Sequence, residues 1–413
     1  MNHLRIKLAL LLTYFVFAIL LNSVGTVILQ VIHSFQVSKE SASLLEGFKD
    51  IPIAVVSFLL ASWLPRLGYQ RAMMIGVAMV MLACIAMPLL PAFWTTKLLF
   101  FTVGSAFALV KVSVYASIGL ITDSREQHAS LLNFIEGFFM LGVLSGYWVF
   151  AAFMDPAEPE SLSWLQVYWL LAALCLLNLL LLASTPIPKV PLEPARSARQ
   201  DFVGMLQLLA LPLVLVFIVS AFLYVVLEQG IGTWLPTFNN QVLQLPNQLS
   251  VQLTSIFAAS LALGRLLAGV VLRHLSWYAL VNLCLVGMAA LMLLILPMTR
   301  EVVVPETVHL WNAPLAAYLF PLIGLFMAPV YPIISSVMLS ALPKARHAAM
   351  TGLIVVFSAL GGTTGSMITG LTFARLDGQT AFYLSLVPLS LLLLSLALLH
   401  RWHRQGTATS AIA

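Results

Sequence analysis

Long apolar runs without alternation dominate the chain and recur at a near-regular interval. They fall at about 6–32, 43–64, 72–90, 96–122, 129–153 and 162–184, then at about 210–236, 249–273, 278–297, 311–342, 348–374 and 379–400. A helix needs about 20 apolar residues to cross the hydrocarbon core, and each run comes close to or exceeds that length. Period-two alternation, the mark of a membrane barrel strand, is missing from runs rich in Leu, Ala and Met. The pattern predicts twelve transmembrane helices, since 413 residues shared among twelve leaves about 34 for each span and its loop.

Polar segments divide this series. Between the sixth and seventh runs lies STPIPKVPLEPARSARQ, whose prolines cannot continue a helix. It predicts two six-helix halves, 1–184 and 205–413, joined by a cytoplasmic linker at 185–204 that holds Lys189, Arg196 and Arg199. The halves carry a faint repeat: Ala61, Leu64 and Leu67 match Gly269, Leu272 and Leu275 at one constant offset. Parallel six-helix repeats build many secondary transporters.

Composition agrees with this reading. Hydrophobic residues make up 61% of the chain and charged ones 8%, against roughly a quarter charged in soluble domains. With a mean hydropathy of +1.01, a water-soluble globule is excluded and the lipid bilayer is the expected surrounding. The net charge of +5 reports topology and not nucleic acid, because no Lys/Arg run forms a binding face. With both termini cytoplasmic, 13 of the 20 basic residues fall on the cytoplasmic side, 4 on the opposite side and 3 within spans. Cys84, Cys175 and Cys284 each lie inside an apolar run, which implies core packing, with neither a disulfide nor a metal role. The basic start MNHLRIK leads into an apolar stretch without a small-residue cleavage pattern, so it reads as the first span.

Arg66, Gly68 and Arg71 in LPRLGYQR resemble remnants of the loop between spans two and three of the major facilitator superfamily, with Ala61 and Pro65 in place of its usual glycine and aspartate. FLYVVLEQGIGTWLPTF, GRLLAGVVLRHL, MAPVYPIISSVML and SALGGTTGSMITG are most similar to the branch that contains the fucose:proton symporter and related sugar permeases. The resemblance implies an all-α integral membrane fold of the major facilitator type. It also implies a monomeric inner-membrane permease, not an enzyme, that takes up a sugar or sugar-like organic solute by alternating access. No cofactor is implied beyond the coupling ion, a proton or alternatively sodium. In that branch an acidic residue of span four is implicated in proton coupling, and Lys111 stands at about its position. The branch's acid after an asparagine of span one is also missing, since Asn22 is followed by Ser23.

Charges inside a membrane are costly and mark candidate sites. Glu46, Lys49 and Asp50 of span two share one helix face at i, i+3 and i+4. They form either an ion-pair staple or a group that binds substrate or gates it. Lys111 lies eleven residues before Thr122, about 16 Å deep and near the midplane. Glu136 in span five, where the branch often has a sugar-contacting glutamine, and Glu228 in span seven remain as carboxylates. Each could carry a coupling proton, touch substrate, or pair with Lys111 or Lys49, because a low-dielectric cavity favours a neutral carboxyl. Glu228 is the first choice for coupling.

Tyr115, Tyr224 and Trp234 lie nearby and could stack on a sugar ring or simply pack. Gly230 and Gly232 could let span seven bend. Gly264, Arg265, Gly269 and Arg273 around span eight join Arg66, Gly68 and Arg71 as gating or structural residues, with Arg265 expected to bond carbonyls at the inner gate. Lys49, Lys111 and Arg265 together suit an anionic solute such as a sugar acid or another carboxylate. A drug or metabolite exporter is the alternative on the same fold. An intramembrane lipid-modifying enzyme is remote, because no HExxH or GxSxG motif occurs, and no GxxxxGK[ST] loop supports ATP-driven transport.

Overall fold

The computed structural model describes residues 3–60, 64–122, 124–185, 198–300, 302, 305, 307–343 and 346–410. Its described residues are helical throughout, without strands, and the chain divides into two compact units, Met1–Ala198 and Arg199–Ala413. The first holds α1 (His3–Leu21), α2 (Val24–Ser34), α3 (Lys39–Leu60), α4 (Leu64–Leu67), α5 (Tyr69–Leu89), α6 (Phe93–Ile121), α7 (Arg125–Ala151) and α8 (Val167–Ala183). The rest of the chain holds α9 (Ala198–Leu209), α10 (Pro212–Gln241), α11 (Asn247–Val271), α12 (Trp277–Ile295), α13 (Leu315–Leu319), α14 (Ile323–Met327), α15 (Val330–Ser340), α16 (His347–Arg375), α17 (Gly378–Leu384) and α18 (Leu386–Ser410). Most of the expected linker, residues 186–197, lies outside the described residues, as does Ala61.

Among the described residues, eleven helical stretches are long and apolar enough to cross a membrane. The twelfth expected span is α3, whose Lys39, Glu40, Glu46, Lys49 and Asp50 make its first half polar. It packs along α6 nonetheless, because Gly104 lets the helices close until a side chain there would strike the Lys49 backbone. Gly142 of α7 does the same against Phe15 and Ala18 of α1, and Gly361 and Gly365 of α16 against Phe222 and Val226 of α10. Small residues at such crossings are what bring membrane helices together.

Two expected spans are not single helices. The first breaks at Asn22 and Ser23, whose side chains turn back to the Ala18 carbonyl (2.9 Å) and the Leu20 carbonyl (2.8 Å) and so compete with the backbone ladder. The tenth is divided into α13, α14 and α15 around a short 3-10 turn at Phe320–Leu322. Pro321, Pro329 and Pro332 each remove a backbone donor along it. Elsewhere the ends follow ordinary capping: Ser124, Ser276 and Asp377 accept the N–H of Gln127, Ala279 and Thr380.

Some buried polar groups pair between helices within each unit. Thr13 and Asn178 exchange hydrogen bonds at 3.2 and 2.8 Å between α1 and α8. Ser220 donates to Ser395 at 2.9 Å between α10 and α18.

Candidate functional site

The first unit gathers three of the sequence candidates. Helical spacing sets Lys111 and Tyr115 on one face of α6, and α7 brings Glu136 to it. The Tyr115 hydroxyl donates to Glu136 Oε1 at 2.7 Å, and Lys111 lies within electrostatic reach of the same carboxylate. Lys111 Nζ sits 5.8 Å over the Phe107 ring. Tyr14 of α1 adds a second phenol, its ring 6.3 Å from that of Tyr115 and edge-on to Phe139 at 5.7 Å. Tyr115 is 38% exposed, Lys111 is exposed and Glu136 half-buried. The cluster therefore offers a cation, a carboxylate and a hydroxyl on an aromatic floor, facing a surface of the unit. A cavity of about 790 Å³ opens beyond it, where Lys7 of α1 meets Thr122, Glu126, Gln127, Ser130 and Asn133.

The span-two charges occupy different surroundings. Lys49 is paired with Glu46, lies 3.5 Å from Asp50, and donates to the Leu21 carbonyl at 3.5 Å, where α1 ends. Glu46 is 0% and Lys49 7% exposed. Tyr147 of α7 lies within electrostatic reach of both. This arrangement locks α3 to the break in the first span. Asn22 stands exposed at that break.

The second unit holds a further cluster. Tyr224 and Glu228, one turn apart on α10, are joined through the Tyr224 hydroxyl at 3.1 Å. The same hydroxyl lies 2.9 Å from the Met327 carbonyl oxygen at the end of α14. Tyr331 of α15 stacks on Tyr224 at 5.7 Å and meets the Ser358 hydroxyl of α16 at 2.8 Å. Arg265 of α11 is exposed and within electrostatic reach of Tyr224.

Trp234 is wholly buried: its indole N–H donates to the Ser366 carbonyl at 3.0 Å and its ring stacks on Phe373, so it packs α10 on α16 here. α10 runs unbroken through Gly230 and Gly232, where side chains would meet Thr369 and Phe257.

The expected gating residues separate in the same way. Gly264 lets α11 approach Leu325 and Ala328, whereas a side chain at Gly269 would meet open space. Gly68 has φ +87°, a left-handed value that favours glycine, and it caps α5. Leu64, Leu67, Tyr69 and Ala72 beside it pack on Leu109 and Val112 of α6, leaving Arg66 and Arg71 exposed. Arg273 is exposed just past the end of α11. Tyr14, Tyr331, Ser358 and the Met327 carbonyl are site components that the sequence did not single out.

Eleven membrane-crossing helices among the described residues define an integral membrane protein. The family model of the Major Facilitator Superfamily matches residues 10–366, and the chain belongs to that superfamily. No curated relative matches it in sequence.

Among solved structures it is similar to a D-xylose-proton symporter, with 15% identity, 97% of each chain covered and a TM-score of 0.72. A bacterial homologue of the human lysosomal transporter Spinster, in an inward-facing and occupied conformation, gives 14% identity, 98% and 96% coverage and a TM-score of 0.71. A variant of the E. coli fucose:proton symporter gives 14% identity, 95% and 98% coverage and a TM-score of 0.60. At these identities the likeness establishes the fold.

Proposed function

We propose that this protein is a secondary active transporter that takes up a small organic solute, a sugar acid or related carboxylate or sugar, in symport with protons by alternating access. One observation carries the reading. Each unit presents a carboxylate held by a tyrosine hydroxyl and accompanied by a cation: Glu136 with Tyr115 and Lys111, and Glu228 with Tyr224 and Arg265. A charge at membrane depth is expensive and marks a functional site, and the charged members of these two sets, unlike Glu46 and Lys49, are half-buried or exposed. Glu228 carries the coupling proton, and Lys111 attracts the solute's negative charge. Proton symporters among the neighbouring folds support the coupling, and the positive-inside bias supports an inner-membrane location with both termini cytoplasmic. The working form is a monomer.

A thermal-shift screen of the purified protein at pH 6 and pH 8 tests the substrate class, because a ligand that binds only the folded state raises its stability by about 2.7 kcal/mol at a hundred times its Kd. Sugar acids are expected to stabilise more than their neutral sugars. Stabilisation confined to large apolar cations would overturn the uptake reading in favour of an exporter.

A further inference from the structure

Tyr224 has one hydroxyl hydrogen and faces two acceptors. Its oxygen lies 3.1 Å from Glu228 Oε1 and 2.9 Å from the Met327 carbonyl oxygen. A phenol donates once but also accepts. Both contacts are hydrogen bonds at the same time only when Glu228 is protonated, donating to Tyr224 while Tyr224 donates to Met327. When Glu228 is ionised, both neighbours are acceptors competing for one hydrogen, and the charge-assisted bond to the carboxylate is the stronger.

The second acceptor sits where the backbone ladder of span ten is interrupted, although Ala328 and Pro329 keep helical dihedrals. Met327 ends α14, and the helix resumes only at Val330. Carbonyls at a helix end lack intrahelical donors and depend on outside partners, and Pro329 within the junction supplies no N–H. The bond from Tyr224 thus ties α10 to the break in span ten. Around it, Tyr331 of α15 stacks on Tyr224 and is fixed by Ser358 of α16. Among the described residues, Arg265 of α11 and Tyr331 of α15 are charged or titratable groups within electrostatic reach of Tyr224 or Glu228.

We propose that Tyr224 is a positioning residue that converts the protonation of Glu228 into tethering of span ten at its break. Protonated Glu228 leaves the Tyr224 hydrogen on Met327, and the α14 and α15 junction is held to α10. On release, the O–H bond of Glu228 breaks and its proton passes to water. The phenolic hydrogen stays on Tyr224 and pivots to the carboxylate, and the junction is freed. The inference rests on the coupling role proposed for Glu228.

Two variants separate the inference from that reading. In proteoliposomes, Tyr224→Phe is expected to lose accumulation driven by a pH gradient. Amide hydrogen exchange at Ala328, Val330 and Tyr331, corrected for intrinsic rates, reports the tether directly. In the wild type, protection is expected to fall as pH rises. Glu228→Gln, whose amide always donates, is expected to stay protected at every pH, and Tyr224→Phe to stay unprotected.

A Tyr224→Phe protein that accumulates solute normally while Glu228→Gln does not would overturn the tether and leave the coupling role intact. Normal accumulation by Glu228→Gln would overturn the coupling role itself. Were Tyr224→Phe not to fold, identical pH dependence of protection in the wild type and Glu228→Gln would still refute the tether.

Discussion

Replacing Lys49 by Met removes a cation shared by Glu46 and Asp50, leaving two carboxylates beside the break in the first span. At the 3.5 Å separation from Asp50, an effective dielectric near 20 gives a gross attraction of about 5 kcal/mol, and Glu46 is closer still. Desolvation of the three groups offsets much of that. The consequence of breaking a buried pair from one side is about 3–5 kcal/mol, because an uncompensated charge remains. Lys49→Met is therefore expected to lose stability on that scale.

The double variant Glu46→Gln with Lys49→Met is expected to recover most of this loss, since the remaining Asp50 is partly exposed. Equilibrium unfolding of both single variants and the double variant in mixed micelles gives the coupling energy, expected at about 2 kcal/mol or more. Losses below about 1 kcal/mol in every variant, as exposed pairs give, would refute the view that the triad holds α3 to the first span. A double variant that is stable but does not transport would show that these charges also serve the cycle.

Other outcomes follow from the same geometry. Lys111→Ala is expected to weaken sugar-acid binding about tenfold, equivalent to about 1.4 kcal/mol, while sparing neutral sugars; equal losses in a binding titration would refute charge matching. A side chain at Gly361 would fall 2.8 Å from the Phe222 carbonyl oxygen, so Gly361→Leu should cost about 1–3 kcal/mol of unfolding free energy through overpacking. At the start of α17, burial pushes the Asp377 carboxyl up, but bonds from Thr380 and the Thr380 and Gln379 backbone outweigh it and hold the group below its ordinary range. Its capping contribution, about 1 kcal/mol by Asp377→Ala, is therefore full above the unfolded value near pH 4. It is lost as pH falls through the lower folded value. Unfolding measured between pH 2 and pH 6 checks this, and a wild-type to variant difference that grows on acidification would contradict it.

Much of this architecture is legible in the sequence because membrane spans must be continuous, apolar and about 20 residues long. The triad of span two is legible too, since i, i+3 and i+4 spacing fixes a shared face before any partner helix is known. The break at Asn22 and Ser23 is not, because both residues also occur inside helices and only their back-bonding ends this one. The division of span ten is not read from the sequence either, although Pro321, Pro329 and Pro332 each remove a helical donor. At about 100° per residue, Tyr224 is turned only about 40° from Glu228, whereas Trp234 is turned about 120°; helical phase alone puts the two on different faces. The pairing of Tyr115 with Glu136 depends on how α6 and α7 meet, and Met327 takes part through a backbone carbonyl, which leaves no trace in residue type.

The most direct test of the account is solute-driven proton movement. Proteoliposomes containing the wild type or Glu228→Gln would be loaded with a pH-sensitive dye and exposed to a sugar acid that stabilises the purified protein. The wild type is expected to move protons in the direction of the solute, and Glu228→Gln to exchange solute without moving protons. Solute uptake by the wild type without proton movement at any pH, or undiminished proton movement in Glu228→Gln, would contradict it.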